Sequence, residues 1–350
     1  MPHSPLSRRT LLSGLAAGLW AWPTLTRADD LLPKHITPET VKSVQKGLDY
    51  LSKAQSGDGS WHGHADGDTY PVAMTGLAGM AFLSNGSTST RGAYSDQVRR
   101  TTSFIVSRAQ PSGLIAEGEE AGHPMYGHGF GMMFLASAYG METRVDVRKK
   151  MDGVIKRAIQ LTATGQSNLG GWYYYPGAGD EGSVTVTQMQ ALRAAHNAGF
   201  TIPKGTIENA IRYLELCKTP DGGIRYSYQS GNDTRLPMTA AAVCCLYSAG
   251  EYESPLADSC MKYVMQQFKS SSGEFQSGHS FYLNLYASLA FYQAGDEYWD
   301  AYFPKARDGL LKQQQSDGSW NGDGVGPVFG TALACILLQI PYKYLPIYQR

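Results

Sequence analysis

The stretch Gln314-Gln-Ser-Asp-Gly-Ser-Trp320 decides how the chain folds, because the same pattern, Gln-x-x-Asp-Gly-Ser-Trp, also runs from Gln55 to Trp61. Gln suits the end of a helix, Asp-Gly favours a tight turn in which Gly adopts a positive φ, and Trp adds a large apolar side chain with one N–H donor. The matching positions are Gln55, Asp58, Gly59 and Trp61 in the first copy, and Gln314, Asp317, Gly318 and Trp320 in the second. Two copies at opposite ends of the chain indicate an internal repeat.

Four weaker copies lie between these two. The clearest is Gln166-Ser-Asn-Leu-Gly-Gly-Trp172, which keeps Gln and Trp at the same spacing. The others keep little more than a glycine near an apolar residue: Gln110–Leu114, Lys218–Ile224 and Lys269–Phe275. Six units, spaced by roughly 45 to 58 residues, are typical of paired-helix repeats.

Each unit contains two kinds of helical segment. The first, which begins at Thr37-Pro38-Glu39, is amphipathic; the second, near 73–83, is apolar on every side and must be buried. Further amphipathic segments are predicted near 94–109, 145–162, 205–217, 256–269 and 301–314, and further apolar ones near 125–139, 184–198, 237–249, 280–294 and 328–340.

This alternation predicts an all-α domain over 37–340, in which six helical hairpins close into an inner ring of apolar helices and an outer ring of amphipathic ones, followed by a C-terminal tail over 341–350. An open solenoid of helix pairs is the competing interpretation. Closure is favoured because the apolar helices have no polar face to expose, and because the first and last units carry the best turn motif instead of polar caps.

Composition limits the class of function. The 350 residues are 42% hydrophobic and 17% charged, which is sufficient for a large core. Thirty basic residues balance 30 acidic ones and form no basic stripe, so nucleic acid is not an expected partner. Five cysteines without Cys-x-x-Cys spacing do not indicate a disulfide framework.

Residues 1–28 have the pattern of an export signal. Arg8-Arg9 precedes an apolar run from Leu11 to Trp22, and Thr26-Arg27-Ala28 suits cleavage. The pattern Ser-Arg-Arg-x-Leu-Leu favours the twin-arginine route, with an ordinary Sec signal as the alternative. Because the apolar run is too short to span a bilayer, no transmembrane segment is predicted. We therefore expect an exported protein, periplasmic or extracellular, with a short linker over 29–36.

The motif Gln-x-x-Asp-Gly-Ser-Trp is also the repeat motif of squalene and terpenoid cyclases, and over residues 37–340 the chain resembles that family. The paired helices are similar to the α/α toroid that these cyclases share with the β subunits of protein prenyltransferases. The resemblance implies an α6/α6 barrel with a central cavity for an isoprenoid or other apolar molecule.

The catalytic motifs of those relatives are not reproduced. Squalene cyclases place Asp-x-Asp-Asp-Thr-Ala at the start of one inner helix. The comparable threonines here are taken as Thr75, Thr187, Thr239 and Thr331, and no acid stands among the four residues before any of them. The nearest substitute is Asp66-Gly-Asp68-Thr69. The prenyltransferase zinc motif, Asp-x-Cys with a later His, is absent around Cys244-Cys245, so no metal is predicted and no cofactor is identified.

Polar residues that bear chemistry gather in the connections from outer to inner helices. They are His62, His64, His123, His128 and His279, with Asp66, Asp68, Glu117, Glu119 and Glu120. Because closure brings these connections to one mouth of the barrel, we predict that Asp68, His128 and His279 converge there as catalytic groups, where His and carboxylates would form an acid–base pair or, alternatively, a metal site. The alternative is that polar residues accumulate in loops without forming a site.

Aromatic residues follow the same distribution, and Tyr126, Trp172, Tyr174 and Tyr282 are predicted to line the cavity. Their π faces would stabilise a carbocation or stack on a sugar, or their rings would simply fill the barrel. Three functions stay open: a cyclase-like enzyme or binder of an isoprenoid, a lyase or hydrolase acting on polysaccharide, and a non-catalytic scaffold. A deep apolar cavity favours the first, an open groove the second and a filled barrel the third.

Overall fold

The computed structural model describes residues 32–65, 68–120, 122–271, 275 and 278–349, and their regular structure is almost entirely α-helical. The outer helices are α1 (Pro38–Ala54), α3 (Ser95–Ser107), α5 (Val145–Thr164), α7 (Lys204–Leu216), α9 (Pro255–Ser270) and α11 (Asp296–Gln313). The inner helices are α2 (Pro71–Ser84), α4 (Pro124–Tyr139), α6 (Gly182–Asn197), α8 (Leu236–Ser248), α10 (Ser280–Ala294) and α12 (Pro327–Gln339). Within these residues the one β ladder pairs β1 (His64–Ala65) with β2 (Asp68–Thr69).

The prediction of an all-α fold is confirmed. The predicted export signal over 1–28 and Gly273 of the fifth turn lie outside the described residues. No helix in the described part of the chain is long and apolar enough to cross a membrane.

The distribution of apolar residues explains which helices lie inside. In α1 the Thr37 side chain accepts a hydrogen bond from Thr40 N, Pro38 occupies the first turn, and one face, which includes Leu48 and Leu51, is buried. In α2, by contrast, every residue is buried. A helix buried on all sides requires neighbours on all sides, and only the inner ring supplies them.

Contacts among the inner helices close the ring. Along the chain α2 contacts α4, α4 contacts α6, α6 contacts α8, α8 contacts α10 and α10 contacts α12. The last inner helix, α12, then contacts α2, and α1 packs against both α11 and α12. An open solenoid would leave its first and last units apart, so the structure excludes that alternative.

Helix positions agree with the sequence pattern except at α11, which was predicted to begin near 301. It begins at Asp296, because Asp296 and Glu297 favour the positive end of the helix and Trp299 stacks on Phe303 one turn later, with ring centroids 4.3 Å apart.

The tryptophan of each good turn joins the outer and inner helix of its own unit. Trp61 N donates to Thr75 Oγ1 (3.0 Å), and its indole Nε1 donates to the Leu51 carbonyl (2.8 Å). Trp172 repeats this arrangement with Thr185 and Thr162, and Trp320 repeats it with Thr331 and Leu310. All three indole rings are fully buried, so these residues are structural.

The glutamine of each turn joins neighbouring units. Gln55 Nε2 donates to the carbonyl of Gly59 in its own turn and to that of Gln97 in α3. Gln166 makes the equivalent bonds to Gly170 and to Thr206 in α7. Gln314 donates to Gly318 and to Ser43 of α1, which ties the sixth unit to the first.

Gly318 allows this close approach. Its φ is +92°, and a Cβ there would stand 2.6 Å from the Lys46 carbonyl oxygen of α1. Gly59 lies equally close to Arg100 of α3. In both turns the Asp side chain accepts from Ser two residues later: Asp58 from Ser60, and Asp317 from Ser319.

Candidate functional site

One end of the barrel, here called the mouth, gathers the N-terminal ends of the inner helices. There, each connection covers the start of the preceding inner helix. Met125 N of α4 donates to the Tyr174 carbonyl (3.2 Å), and Gly182 N of α6 donates to the Tyr226 carbonyl (2.8 Å). The connections that contain Tyr174 and Tyr226 therefore lie against the N-terminal ends of α4 and α6.

Aromatic rings form a continuous cluster at the mouth. His123 meets the ring of Tyr174 edge-on at 4.3 Å between centroids, and Tyr126 lies 6.0 Å from Tyr174. Tyr70 contacts both His123 and Tyr126, and its hydroxyl is 3.0 Å from His123 Nδ1. Tyr126 and Tyr174 were predicted to line the cavity, and the structure brings these two together.

Part of the inner-helix wall at the mouth remains accessible. Tyr126, Phe130, Ser183 and Tyr282 are partly exposed although they belong to inner helices. Phe130 follows Tyr126 by one helical turn, so the two rings share a face of α4. The accessible wall therefore includes three aromatic rings, and the Ser183 hydroxyl lies beside that of Tyr126.

A buried carboxyl group lies behind this wall. Glu181 precedes α6 and is 1% exposed; it accepts hydrogen bonds from Ser183 N (2.8 Å) and Val184 N (2.5 Å). The Ser183 hydroxyl donates to the same carboxyl (2.9 Å), and because Ser183 thereby uses its proton, the Tyr126 hydroxyl donates to Ser183 Oγ (2.5 Å). A second pair of hydroxyls, Tyr174 and Tyr226, is 2.7 Å apart.

Burial decides the ionisation of this group. Withdrawal from water raises the pKa of Glu181 above its usual value, and this effect outweighs the hydrogen bonds from α6, which act in the opposite direction. Burial also raises the pKa of Tyr126, and the nearby Glu181 carboxyl raises it further. A carboxyl that holds its proton more tightly than usual, next to an accessible aromatic wall, is suited to act as a proton donor.

Glu181 stands four residues before the repeat threonine of its unit, although no acid was predicted there. Trp172 N bonds to Thr185 Oγ1 (2.9 Å), so Thr185 and not Thr187 is the repeat threonine of this unit. The four residues before it are Glu181-Gly-Ser-Val, and the first is acidic. The second and third acids of the cyclase motif correspond to Ser183 and Val184. The turn geometry was the signal that would have corrected the choice.

His128, a predicted catalytic residue, lies within the repeat framework. Its Nδ1 accepts from Ile115 N (3.2 Å), which is the bond that the repeat threonine accepts in other units. Its Nε2 is 2.9 Å from Thr162 Oγ1, whose own proton goes to the Ala158 carbonyl, so Nε2 carries the ring proton. The ring is fully buried, which lowers the pKa of His128 to about 4 and keeps it neutral. We therefore assign His128 a structural role.

Three other predicted residues are placed differently. His279 is an exposed residue at the start of α10, and Asp68 lies in β2 opposite Ala65, with its side chain outside the described part. Their convergence stays a prediction. Trp172 lies between α5 and α6, not in the cavity wall, because its indole N–H is held by the Thr162 carbonyl (2.7 Å).

Two further acids of the connections, Glu117 and Glu120, serve the framework. Glu120 is fully buried and accepts from Val72 N (2.8 Å) and Ala73 N (3.0 Å), so it caps α2. Glu117 forms an ion pair with Arg108. Among the described residues, no group of three or more His, Cys, Asp or Glu side chains is arranged to hold a metal ion.

Comparison with known proteins identifies the class of fold. No family model and no curated protein matches the sequence. Among solved structures, a variant of the type II terpene cyclase MstE from Scytonema, in complex with geranylgeranyl dihydroxybenzoate, matches with a TM-score of 0.61 at 13% identity over 88% of this chain and 98% of its own. An α-amylase from Clostridium perfringens matches with a TM-score of 0.59 at 14% identity, over 89% of this chain and 99% of its own.

A third match is cellobiose 2-epimerase from Bacillus thermoamylovorans, with a TM-score of 0.59 at 12% identity over 85% of this chain and 98% of its own. The expected α/α toroid is thereby confirmed. At these identities the likeness concerns the fold alone, because this fold carries both terpenoid and carbohydrate chemistry.

Proposed function

We propose that the protein binds an apolar, isoprenoid-type molecule at the mouth of the inner ring and acts on it as a cyclase-type enzyme, with Glu181 as the proton donor. The observation that carries the proposal is the composition of the accessible wall: aromatic rings of Tyr126, Phe130 and Tyr282 beside the buried carboxyl group of Glu181.

The inner helices favour an apolar ligand over a charged one. Their one Asp, Glu, Lys or Arg residue is Arg193, near the C-terminal end of α6, where it donates to the Ser248 carbonyl (2.7 Å). Within the inner helices, the mouth end therefore presents aromatic faces, which attract a developing positive charge, and no basic side chain; Arg235, directly before α8, is exposed.

Proton delivery has a defined route in this arrangement. The Ser183 hydroxyl stands between the Glu181 carboxyl and the Tyr126 hydroxyl, and both Ser183 and Tyr126 are partly exposed. For delivery, the hydrogen bond between Glu181 and Ser183 reverses: the protonated carboxyl donates its proton to Ser183 Oγ while the Ser183 hydroxyl gives its own proton to a molecule in the mouth, and deprotonation of the cyclised product restores both groups. The cyclisation is thus an isomerisation that consumes no co-reactant.

A glycan-directed enzyme is the second candidate, supported by the structural likeness to the amylase and the epimerase and by the adjacent rings of Tyr173 and Tyr174, 4.4 Å apart. Glycoside hydrolysis commonly requires a pair of carboxyl groups facing the scissile bond. Here both Glu120 and Glu181 accept hydrogen bonds from the backbone of an inner helix, and of the two only Glu181 is also bonded to a partly exposed hydroxyl, that of Ser183. The isoprenoid proposal therefore has the better support.

The test is a titration of the purified protein with geranylgeraniol and, separately, with cellobiose and maltose, followed by analysis of products. Geranylgeraniol should bind, and Phe130→Ala should weaken binding about tenfold, since loss of a ring contact costs about 1.4 kcal/mol. Phe200→Ala is the matched control, because Phe200 packs on Tyr139 at the C-terminal end of α4. Glu181→Gln should bind normally and form no product. If the protein bound a saccharide but not geranylgeraniol, the glycan-directed function would replace the proposal. If it bound neither, the proposal would be wrong and the non-catalytic scaffold would be the remaining function.

A further inference from the structure

We propose that the C-terminal segment, residues 340–349, closes the end of the barrel opposite the mouth, and that Tyr348 on this segment sets the depth of the ligand cavity. The closure stands on the geometry of the segment. The statement about cavity depth rests on the function proposed above.

The path of the segment crosses the barrel. A 3₁₀ turn, Ile340–Tyr342, follows α12, and Lys343 then reverses the chain with a left-handed φ of 59°. Tyr344 passes Gly86, just beyond α2. A second 3₁₀ turn, Pro346–Tyr348, packs against α6, which stands opposite α12 in the ring. The chain thus reaches from one wall of the barrel to the other.

The side chains of the segment are buried as deeply as core residues. Leu345 is 1% exposed, Ile347 3% and Tyr348 4%. At its end, the Gln349 carbonyl accepts a hydrogen bond from Gln293 Nε2 near the end of α10 (3.3 Å). A terminal segment that buries three apolar side chains and bonds to an inner helix is fixed in place.

Tyr348 occupies the floor of the barrel. It lies close enough to Cys244 of α8 for the two groups to affect each other's ionisation, and Tyr286 of α10 is similarly close to Tyr348. Tyr286 in turn packs on Tyr282, with ring centroids 4.7 Å apart. Tyr348, Tyr286 and Tyr282 therefore form a column that runs from the floor to the mouth.

This column makes the cavity blind. A ligand enters between the rings at the mouth and extends toward Tyr286 and Tyr348, which stop it. Tyr348→Ala removes a phenol ring, slightly larger than one isoprene unit, from the floor. The variant should accept prenyl chains that are longer by one unit, while the mouth is unchanged.

The first experiment tests closure without any ligand. All five cysteines are buried, and Cys244 is beside Tyr348, so N-ethylmaleimide should label Cys244 slowly in the wild-type protein. Tyr348→Ala should increase the rate of labelling at Cys244 at least tenfold, measured by peptide mass spectrometry.

The matched control is Tyr344→Ala on the same segment, which removes the side chain of a residue that is 54% exposed and should leave the rate unchanged. Tyr348→Leu provides a second variant if the alanine variant does not fold. Equal rates in the wild type and either folded Tyr348 variant would overturn the closure.

The second experiment measures binding of prenyl alcohols that differ by one isoprene unit. The longest alcohol that binds Tyr348→Ala should exceed the longest that binds the wild type by one unit, and Tyr344→Ala should match the wild type. Faster labelling of Cys244 with an unchanged chain-length limit would overturn the role of Tyr348 in cavity depth. A wild-type protein that binds none of the alcohols would contradict the proposed function, whereas the labelling result would still decide whether the segment closes the barrel.

Discussion

At the residue scale, His128 occupies a position that threonine holds in four other units. The backbone N–H at the end of each turn needs an acceptor from the inner helix, and Thr75, Thr185, Thr239 and Thr331 provide it. In the second unit, the imidazole Nδ1 provides it instead. The imidazole also reaches Thr162 in α5, so His128 links the second unit to the third.

This substitution predicts a pH-dependent stability. Burial lowers the pKa of His128 from 6.5 to about 4. Between pH 6.5 and about pH 4, His128 is therefore protonated in the unfolded chain but neutral in the folded protein. The contribution of neutral His128 to the free energy of unfolding is complete above pH 6.5. It is lost as the pH falls to about 4, which lowers the free energy of unfolding by about 3 kcal/mol in total. Urea unfolding across this range should show the loss in the wild type.

His128→Thr is the informative variant for that measurement, because threonine keeps the acceptor and does not titrate. Its stability should vary less with pH than that of the wild type over the same range. An identical pH dependence in both proteins would mean that other groups cause it.

The roles of these residues could be predicted from sequence patterns only in part. A threonine or histidine near the start of an apolar helix has no distinguishing local signal, and two threonines in α6, Thr185 and Thr187, left the register ambiguous. Only the hydrogen bond from Trp172 N identifies Thr185 as the repeat threonine of this unit, and Glu181 is the acid four residues before it. Likewise, nothing local reveals that His128 is enclosed by α5, which comes later in the chain.

At the element scale, the turns act as clamps between helices. The indole of Trp320 is fully buried, its Nε1 bonds to the Leu310 carbonyl, and its backbone N bonds to Thr331, so one residue joins α11 to α12. Its ring also lies against Gly47 of α1, where a Cβ would stand 2.8 Å from the indole. The last turn thereby holds the first helix.

Trp320→Ala should therefore lower the free energy of unfolding by about 3–5 kcal/mol, the usual cost of removing a large buried ring. Gln314→Ala, which removes side-chain hydrogen bonds at the same turn, should cost about 1 kcal/mol. Both values come from denaturant unfolding followed by circular dichroism. A Trp320→Ala protein as stable as the wild type but unable to bind ligand would assign Trp320 to the site instead.

The helices themselves were the most predictable feature, because hydrophobic periodicity and capping residues act within a few positions along the chain. The pattern in α1 and the apolar run in α2 sufficed for their type and approximate ends. The start of α11 was missed because its first turn depends on ring packing between Trp299 and Phe303.

At the scale of the whole molecule, closure of the ring could be predicted from the absence of polar faces on the inner helices. The residues that cover the end of the barrel could not be predicted in this way. Residues 341–350 were predicted only as a tail, since Leu345, Ile347 and Tyr348 show no helical or strand period. Their burial is decided by the barrel end that they cover. Export by the twin-arginine route stays a prediction that depends on Arg8 and Arg9.

The most direct test of the account is a crystal structure of the protein grown with geranylgeraniol. The account predicts electron density for the prenyl chain that enters at the mouth, contacts the rings of Tyr126, Phe130 and Tyr282, and ends at Tyr286 and Tyr348. Density confined to the groove between α5 and α6 beside Phe200 and Lys156, or a saccharide bound at the mouth in a parallel crystal, would contradict it.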